Sequence, residues 1–401
     1  MYKDYGQTEI LQMDKKRFTK AFACLLSVLL ICASIPCVGA EPDQGAQNTP
    51  FDVDALSAVL MDAETGEILY AKNADEALPP ASVTKVMTLL LIMEAVDTGR
   101  LSLTDMIRVS EYAASMGGSQ VYLEPGEEMS LEDMLKSIVV SSANDAAVAV
   151  AETIAGSEEA FVKMMNDRAA ELGMEHTNFE NVTGLDDDTA NHLISAEDIA
   201  IMSRELLKHE TILNYTTIWM DTIRNGAFGL SNTNRLIRFY SGATGLKTGS
   251  TSKAKFCISA TAKRDNLHLI AVIMGSPTRD TRNEMAKKLL DWGFANFAMY
   301  RYPSAAVGTV RVLGGIKETC EAGYGDFTKL MKRGTENGVT VEILLDEEIP
   351  APIKKGDPIG RIIYRLGDEI IGENEIVARE NVEKISFWGL LGRMAQLVLL
   401  R

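Results

Sequence analysis

A serine and a lysine one helical turn apart are the first residues that suggest chemistry. Ser82 and Lys85 bound the sequence Ser-Val-Thr-Lys at the start of a helical pattern that runs to about Val96. This spacing places the hydroxyl and the amine on one helix face, and a lysine with a lowered pKa can accept the serine proton. The pattern alone is weak evidence, because Ser250–Lys253 and Ser252–Lys255 match it too.

A second candidate element, Ser-Ala-Asn, lies between two helical patterns. Its Ser142 and Asn144 offer a proton relay and a hydrogen-bond donor without adding a large charge. Serine, asparagine and aspartate also favour helix N-caps. Taken alone, the element is therefore equally well interpreted as a cap.

A third element, Lys-Thr-Gly-Ser-Thr, occupies 247–251 just ahead of a strand pattern at 255–262. Its lysine and hydroxyl groups suit an anionic carboxylate, and Gly249 allows the backbone to approach a ligand closely. The alternative interpretation is an ordinary polar turn.

In this order, the motifs S-x-x-K, S-x-N and K-T-G resemble those of the serine penicillin-recognising enzymes, which comprise penicillin-binding proteins and serine β-lactamases. Three more stretches narrow the resemblance: Leu-Glu-Pro-Gly-Glu at 123–127, Asn-Val-Thr-Gly-Leu at 181–185 and Lys-Lys-Leu-Leu-Asp-Trp-Gly-Phe at 287–294. With them, the chain is similar to the low-molecular-mass D-alanyl-D-alanine carboxypeptidases of peptidase family S11. The resemblance runs from about Asp54 to Val382.

This resemblance implies catalytic roles for individual residues. Ser82 is expected to be the acylated nucleophile and Lys85 its general base, with Lys247 nearby as a like charge that lowers the pKa of Lys85. Ser142 is expected to relay a proton to the leaving D-alanine amine. Asn144 is expected to bind a substrate peptide amide.

The resemblance also implies the groups that bind substrate around the reacting carbonyl. The backbone N–H groups of Ser82 and Ser250 are expected to form an oxyanion hole. Thr248 is expected to hold the terminal carboxylate of the substrate. Arg282, eight residues after Met274, matches a family arginine that supports the same carboxylate; otherwise it is a charge on a helix surface.

The implied reaction is removal of the terminal D-alanine from peptidoglycan pentapeptides through an acyl-enzyme, with no cofactor. The β-lactam antibiotics are expected to acylate the same serine. The four histidines show no metal-site spacing, and the formal charge of −16 argues against a nucleic-acid partner.

Three alternatives stay open from the sequence. A class A-like β-lactamase needs a glutamate that activates the deacylating water, and Glu210 begins a literal E-x-x-L-N sequence. That glutamate lies far from S-x-N along the chain and also completes a helical pattern. A D,D-endopeptidase acting on cross-linked peptidoglycan would use the same motifs. A cell-wall binding protein that has lost catalysis would not need to keep all of them.

The predicted fold class is α+β, with a β-lactamase/transpeptidase-like catalytic domain at 41–300, in which helices pack on an antiparallel sheet. Short strand patterns after residue 302 predict a small all-β domain at 302–380. In the first domain, strands are predicted at 55–62, 67–71, 255–262 and 267–274, and helices at 82–96, 130–173 with a break near Gly156, 195–213 and 281–297.

The two ends of the chain predict export and membrane binding, respectively. Residues 1–40 have the pattern of a secretory signal peptide with cleavage after Ala40, of which 1–12 reflect an upstream start; a retained membrane anchor is the alternative. Residues 384–401 form an amphipathic pattern with Phe387 and Trp388 on its apolar side. We expect an exported protein, peripheral on the outer face of the bacterial cytoplasmic membrane, unless this helix docks on the protein's own core.

Overall fold

The computed structural model describes residues 51–187 and 189–399. The predicted signal peptide at 1–40 lies outside the described residues. The strands up to residue 276 are β1 (Ser57–Asp62), β2 (Ile68–Lys72), β3 (Met106–Arg108), β4 (Glu128–Ser130), β5 (Met220–Ile223), β6 (Phe228–Ser231), β7 (Ala243–Thr251), β8 (Lys255–Arg264) and β9 (Leu267–Ser276).

Helices lie between some of these strands along the chain, with five α-helices in succession between Leu131 and Thr216. The α-helices are α1 (Lys85–Asp97), α2 (Glu111–Ala114), α3 (Leu131–Val140), α4 (Asn144–Ala155), α5 (Glu158–Glu171), α6 (Ala196–Leu207), α7 (Leu213–Thr216), α8 (Leu236–Phe239), α9 (Arg279–Asn296) and α10 (Phe387–Leu399). Short 3-10 helices occupy Ala81–Thr84, Glu210–Ile212 and Glu336–Gly338.

The central feature is a five-stranded antiparallel sheet in the order β2-β1-β9-β8-β7. Alternate residues of a strand point to opposite faces, and both faces of this sheet are covered. Val59 and Val272 pack into one core with helices α1 and α3 to α6, whereas Leu60 and Ala271 pack into a second core with α9. Helices on both sides therefore hold the sheet rigidly, with β7 at its edge.

The second part of the chain is all β apart from the 3-10 helix at Glu336–Gly338 and its final α-helix. Its strands are β10 (Phe297–Tyr302), β11 (Ala305–Leu313), β12 (Thr319–Tyr324), β13 (Phe327–Lys332), β14 (Val339–Leu345), β15 (Glu348–Pro350), β16 (Pro358–Leu366) and β17 (Glu369–Ala378). Six of them form a sheet in the order β14-β16-β17-β12-β11-β15, and β10 pairs with β13. Tyr364 is fully buried in this core and stacks on Phe327 with 3.9 Å between ring centroids.

The predicted strands at 55–62, 67–71, 255–262 and 267–274 are confirmed as β1, β2, β8 and β9. The predicted helix at 195–213 is wrong at its end, because α6 stops at Leu207. The backbone leaves the helical region at His209 (ψ 82°), whose ring contacts Asp97, and Glu210 then begins a separate 3-10 turn.

Candidate active site

The turn that carries Ser82 is strained. The sequence predicted an α-helix from this serine, but Ala81–Thr84 form a 3-10 helix and α1 begins only at Lys85. Ala81 has a φ of +50°, a conformation that costs a residue with a side chain about 1–3 kcal/mol and that persists only where the surroundings enforce it. The nucleophile candidate is therefore held by tertiary packing as well as by local helix formation.

Two glycines provide that packing. A Cβ placed on Gly249 would lie 2.9 Å from the Ser82 nitrogen, and a Cβ on Gly184 would lie 1.9 Å from the Ala81 oxygen. Gly184 also has a φ of +81°. Strand β7 and the loop around Gly184 thus close on the turn from two sides. For Gly249, the close approach seen here is to the nucleophile turn, whereas the sequence predicted an approach to a ligand.

Lys85 has no solvent exposure, and its amine faces three oxygens. Lys85 Nζ lies 3.1 Å from Ser82 Oγ, 2.5 Å from Asn144 Oδ1 and 2.8 Å from the Thr183 carbonyl oxygen. The amide and carbonyl oxygens can only accept hydrogen bonds. They satisfy two N–H groups of a neutral amine, whose lone pair then faces the Ser82 hydroxyl.

The surroundings favour this neutral form of Lys85. Burial holds the pKa of Lys85 well below its ordinary value, and the Lys247 charge lowers it further, while Asp145 opposes both effects. Lys247 is itself buried, and burial together with the Arg282 charge lowers its pKa to about 7. The effect of the Lys247 charge on the pKa of Lys85 agrees with the expectation that the two lysines lie close together. Burial nevertheless lowers the pKa of Lys85 more than Lys247 does.

The S-x-N element connects α3 to α4, as its position between two helical patterns predicted. Ser142 has a φ of +63°, and its Oγ is buried without a hydrogen-bond partner. Asn144 is the first residue of α4; its Oδ1 accepts from Lys85, and its Nδ2 donates to the Gly117 carbonyl (2.7 Å). In this arrangement Asn144 holds the lysine in place. Its contact with a substrate amide stays a prediction.

The K-T-G element lies inside the edge strand β7, not in a turn ahead of the next strand. A strand was not predicted here because two glycines and several hydroxyl residues replace the apolar alternation that indicates one. Lys247 Nζ donates to the Thr248 carbonyl (2.9 Å), and the Thr248 hydroxyl donates to Thr233 Oγ1 (2.8 Å). Strand geometry turns these neighbours to opposite faces of β7.

Arg282 is buried near the start of α9, so it is not a charge on a helix surface. Its guanidinium bonds the Cys257 carbonyl and the Asn283 side chain, and it makes no ion pair with any described carboxylate. Burial lowers its pKa to about 10. Buried charges are normally paired, so this guanidinium suits an anionic ligand.

These elements surround a cavity of about 180 Å³. Ser82, Ser142, Thr248, Gly249, Ser250 and Arg282 line it, and Lys85, Asn144 and Lys247 lie behind its wall. The structure thus brings together all nine candidate residues. Sequence reasoning missed three lining residues, Ser119, Thr233 and Arg279. Arg279 precedes Arg282 by one helical turn, and that spacing was a usable signal.

A family model described as D-alanyl-D-alanine carboxypeptidase, peptidase S11, matches residues 43–278. The D-alanyl-D-alanine carboxypeptidase DacF of Bacillus subtilis (strain 168) is 44% identical over 381 residues, which cover 92% of this chain and 97% of DacF. The chain belongs to the D-alanyl-D-alanine carboxypeptidase family. Members of this family are serine hydrolases.

Further relatives extend the likeness to the β domain. A model of the penicillin-binding protein 5 C-terminal domain matches residues 303–384. Penicillin-binding protein 5 of Haemophilus influenzae has 33% identity and a TM-score of 0.71, covering 84% of this chain and 99% of that one. Penicillin-binding protein D2 of Listeria monocytogenes, solved in an ampicillin-bound form, has 32% identity and a TM-score of 0.56, covering 61% of this chain and 100% of that one. The predicted family and fold class are confirmed.

Proposed function

We propose that this chain is a serine-type carboxypeptidase that removes the terminal D-alanine from peptidoglycan stem peptides through an acyl-enzyme on Ser82. One observation carries the proposal: a buried lysine amine lies 3.1 Å from the Ser82 hydroxyl, with its other contacts made to pure acceptors. This arrangement suits a general base beside a nucleophile. β-Lactams would acylate the same serine.

In the acylation step, the Ser82 oxygen attacks the carbonyl carbon of the D-Ala–D-Ala bond while its proton moves to Lys85 Nζ. The backbone N–H groups of Ser82 and Ser250 would stabilise the oxyanion. Collapse of the intermediate breaks the C–N bond, and the departing amine takes the proton that Lys85 accepted, passed on by the Ser142 hydroxyl, which gains one proton as it donates another. The lack of any partner for Ser142 Oγ among the described residues supports this relay. Water then hydrolyses the ester.

Arg282 and Thr248 are suited to the free carboxylate of the terminal D-alanine. We expect Arg282→Met to reduce kcat/KM for a D-Ala-D-Ala peptide by about 10²-fold, because a charge-assisted hydrogen bond from a buried guanidinium is lost. Unfolding temperature should change little, because removal of an unpaired buried charge offsets the loss of the hydrogen bonds to the Cys257 carbonyl and the Asn283 side chain. A substrate with an amidated C-terminus is the control: the variant should no longer prefer the free acid, and an unchanged preference would contradict this role.

The proposed activity is tested by D-alanine release from a diacyl-Lys-D-Ala-D-Ala peptide, with Ser82→Ala as the matched control. Release by the wild-type chain that vanishes in the variant is the expected result. A Ser82→Ala variant with full turnover would exclude the mechanism. Absence of both D-alanine release and a penicillin adduct in the wild-type chain would favour the non-catalytic binding protein.

The β-lactamase alternative depends on Glu210. This residue begins a 3-10 helix beyond α6 and is not among the residues that line the cavity. We therefore expect Glu210→Gln to leave the rate of acyl-enzyme hydrolysis within about twofold of wild type, as for a surface substitution. The measurement is the lifetime of a fluorescent penicillin adduct. A much longer lifetime in Glu210→Gln than in wild type would support the β-lactamase interpretation.

We also propose that α10 anchors an exported enzyme on the outer face of the cytoplasmic membrane. The exposed fractions of Phe387, Trp388 and Met394 are 70%, 76% and 59%, which favours an interfacial helix over one docked on the protein core. No helix in the described part of the chain is long and apolar enough to cross a membrane.

Vesicle flotation tests the anchor. Deleting 384–401, or replacing Phe387 and Trp388 together with serine, should release the protein from vesicles, because the apolar area available for insertion is lost. Replacing Ile343 and Ile370 with serine is the matched control, since these apolar residues are also exposed but lie in the β-domain sheet. Unchanged flotation of the deletion variant would count against the helix. Export would be checked by sequencing the mature N-terminus, with cleavage expected after Ala40.

A further inference from the structure

A chain of hydrogen bonds reaches the nucleophile turn from behind, and the steps above make no use of it. The Glu180 backbone N–H donates to His192 Nδ1 (2.9 Å). His192 Nε2 lies 2.8 Å from Thr84 Oγ1, and Thr84 Oγ1 donates to the Ala81 carbonyl (2.9 Å). Thr84 is fully buried and His192 is 3% exposed, so water does not compete for these groups.

The direction of each bond follows from the chemistry of its partners. A backbone N–H can only donate, so His192 Nδ1 must be the acceptor and the proton of the neutral ring is on Nε2. That Nε2–H donates to Thr84 Oγ1, which leaves the hydroxyl proton for the Ala81 carbonyl. Burial lowers the pKa of His192 to about 4, against the opposing effect of the Glu180 and Asp186 carboxylates, and this keeps the ring neutral at pH 7.

The series of hydrogen bonds ends at the Ala81 carbonyl. The Ala81 C=O and the Ser82 N–H belong to one planar trans peptide, in which they point in opposite directions. Holding the Ala81 oxygen toward Thr84 therefore also sets the direction of the Ser82 N–H. This N–H is the one that the proposed mechanism uses for the oxyanion. The φ of +50° at Ala81 shows that the turn carrying this peptide is strained and needs support from its surroundings.

We propose that His192 and Thr84 are positioning residues, which orient the Ala81–Ser82 peptide group so that the Ser82 N–H meets the oxyanion. They touch neither substrate nor reacting atoms. The proposal rests on the acyl-enzyme mechanism proposed above. It predicts an effect on the rate of the chemical step and little effect on ground-state binding.

Thr84 offers an isosteric test with a matched control on the same helix face. Thr84→Val removes the hydroxyl at nearly constant volume, and Thr84→Ser keeps it. Thr88, one helical turn further, is equally buried and donates to the Val182 carbonyl (2.7 Å). Thr88→Val thus removes a comparable buried hydrogen bond that ends on Val182 and not on the Ala81–Ser82 peptide.

We expect Thr84→Val to lower kcat for D-alanine release about tenfold with KM unchanged. This is less than the roughly 10²–10³-fold cost of removing an oxyanion donor outright, because the Ser82 N–H stays in place but is less well oriented. Thr84→Ser should recover most of the rate. Thr88→Val should lower the unfolding temperature about as much as Thr84→Val but keep wild-type kcat. Equal kcat losses in the two valine variants would overturn the proposal, because they would indicate a general packing effect.

A double-mutant cycle tests the role of His192. His192→Phe removes both ring nitrogens and keeps a ring to pack on Phe179, which the histidine contacts edge-on with centroids 5.9 Å apart. If the two side chains act as one unit, the kcat loss of the His192→Phe/Thr84→Val double variant should match that of Thr84→Val alone. If the wild-type enzyme is active, either of two results would overturn the orienting role: additive kcat losses in the double variant, or a wild-type kcat in Thr84→Val. An inactive wild-type chain would instead overturn the proposed function, and the orienting role with it.

Discussion

Replacing Lys85 with methionine is expected to lower the rate of acylation by a β-lactam about 10²–10⁴-fold, because general-base catalysis contributes roughly that much and no other described amine contacts Ser82 Oγ. Methionine keeps an unbranched side chain of similar length in the buried position. The loss would therefore report the missing lone pair and not a cavity. Stopped-flow acylation with a chromogenic β-lactam measures it.

The folding stability of Lys85→Met at pH 7 should increase, although its acylation rate falls. The pKa of Lys85 is depressed in the folded state, so the unfolded chain binds more protons and stability rises with pH between the folded pKa and about 10.5. Lys85→Met removes this penalty and should unfold at a higher temperature at pH 7. A variant that retained fast acylation, or that lost rate only through unfolding, would contradict the general-base role.

Replacing Gly184 with alanine is expected to cause the largest stability loss of any single methyl addition near the site. The new Cβ would lie 1.9 Å from the Ala81 oxygen and 2.4 Å from the Ala81 carbonyl carbon. Both are backbone atoms, so a change of side-chain rotamer cannot relieve the clash. We expect the free energy of unfolding to fall by more than about 3 kcal/mol, beyond the usual range for single substitutions. The new methyl group should also displace the strained turn that carries Ser82, so the rate of acylation should fall as well.

Gly126 is the matched control for this substitution. It has a φ of +80°, nearly that of Gly184, but no atom lies within 4 Å of its built Cβ. Gly126→Ala should therefore cost only about 1 kcal/mol, the penalty for the left-handed backbone itself. Urea unfolding of both variants separates the two contributions. Equal losses would show that the contact with Ala81 does not constrain the turn.

The local parts of the active site could be predicted from the sequence because their geometry depends on short spacings. Ser82 and Lys85 meet across one turn, and the Ser-Ala-Asn element falls between two helices as predicted, although the break expected within 130–173 was placed near Gly156. The strands β1, β8 and β9 were recognisable because they are apolar and buried. The order of the motifs along the chain then indicated the family.

The supporting contacts could not be predicted because they join segments far apart along the chain. The Thr183 carbonyl binds Lys85 across 98 residues, and His192 reaches Thr84 across 108. Nothing local marks Thr183 as a lysine partner, even though its Asn-Val-Thr-Gly-Leu stretch was noticed. Strand β7 was missed for a related reason. Glycine is unfavourable inside a strand, and Gly249 is needed at this position only because it packs closely on the Ser82 turn.

The most direct test of the account is to find the residue that a β-lactam acylates. The full chain, solubilised in detergent, would be incubated with benzylpenicillin, digested and sequenced by tandem mass spectrometry. We predict a single adduct on Ser82, absent from Ser82→Ala and formed much more slowly in Lys85→Met. An adduct on any other residue, or one that persists in Ser82→Ala, would contradict the assignment of Ser82 as the nucleophile.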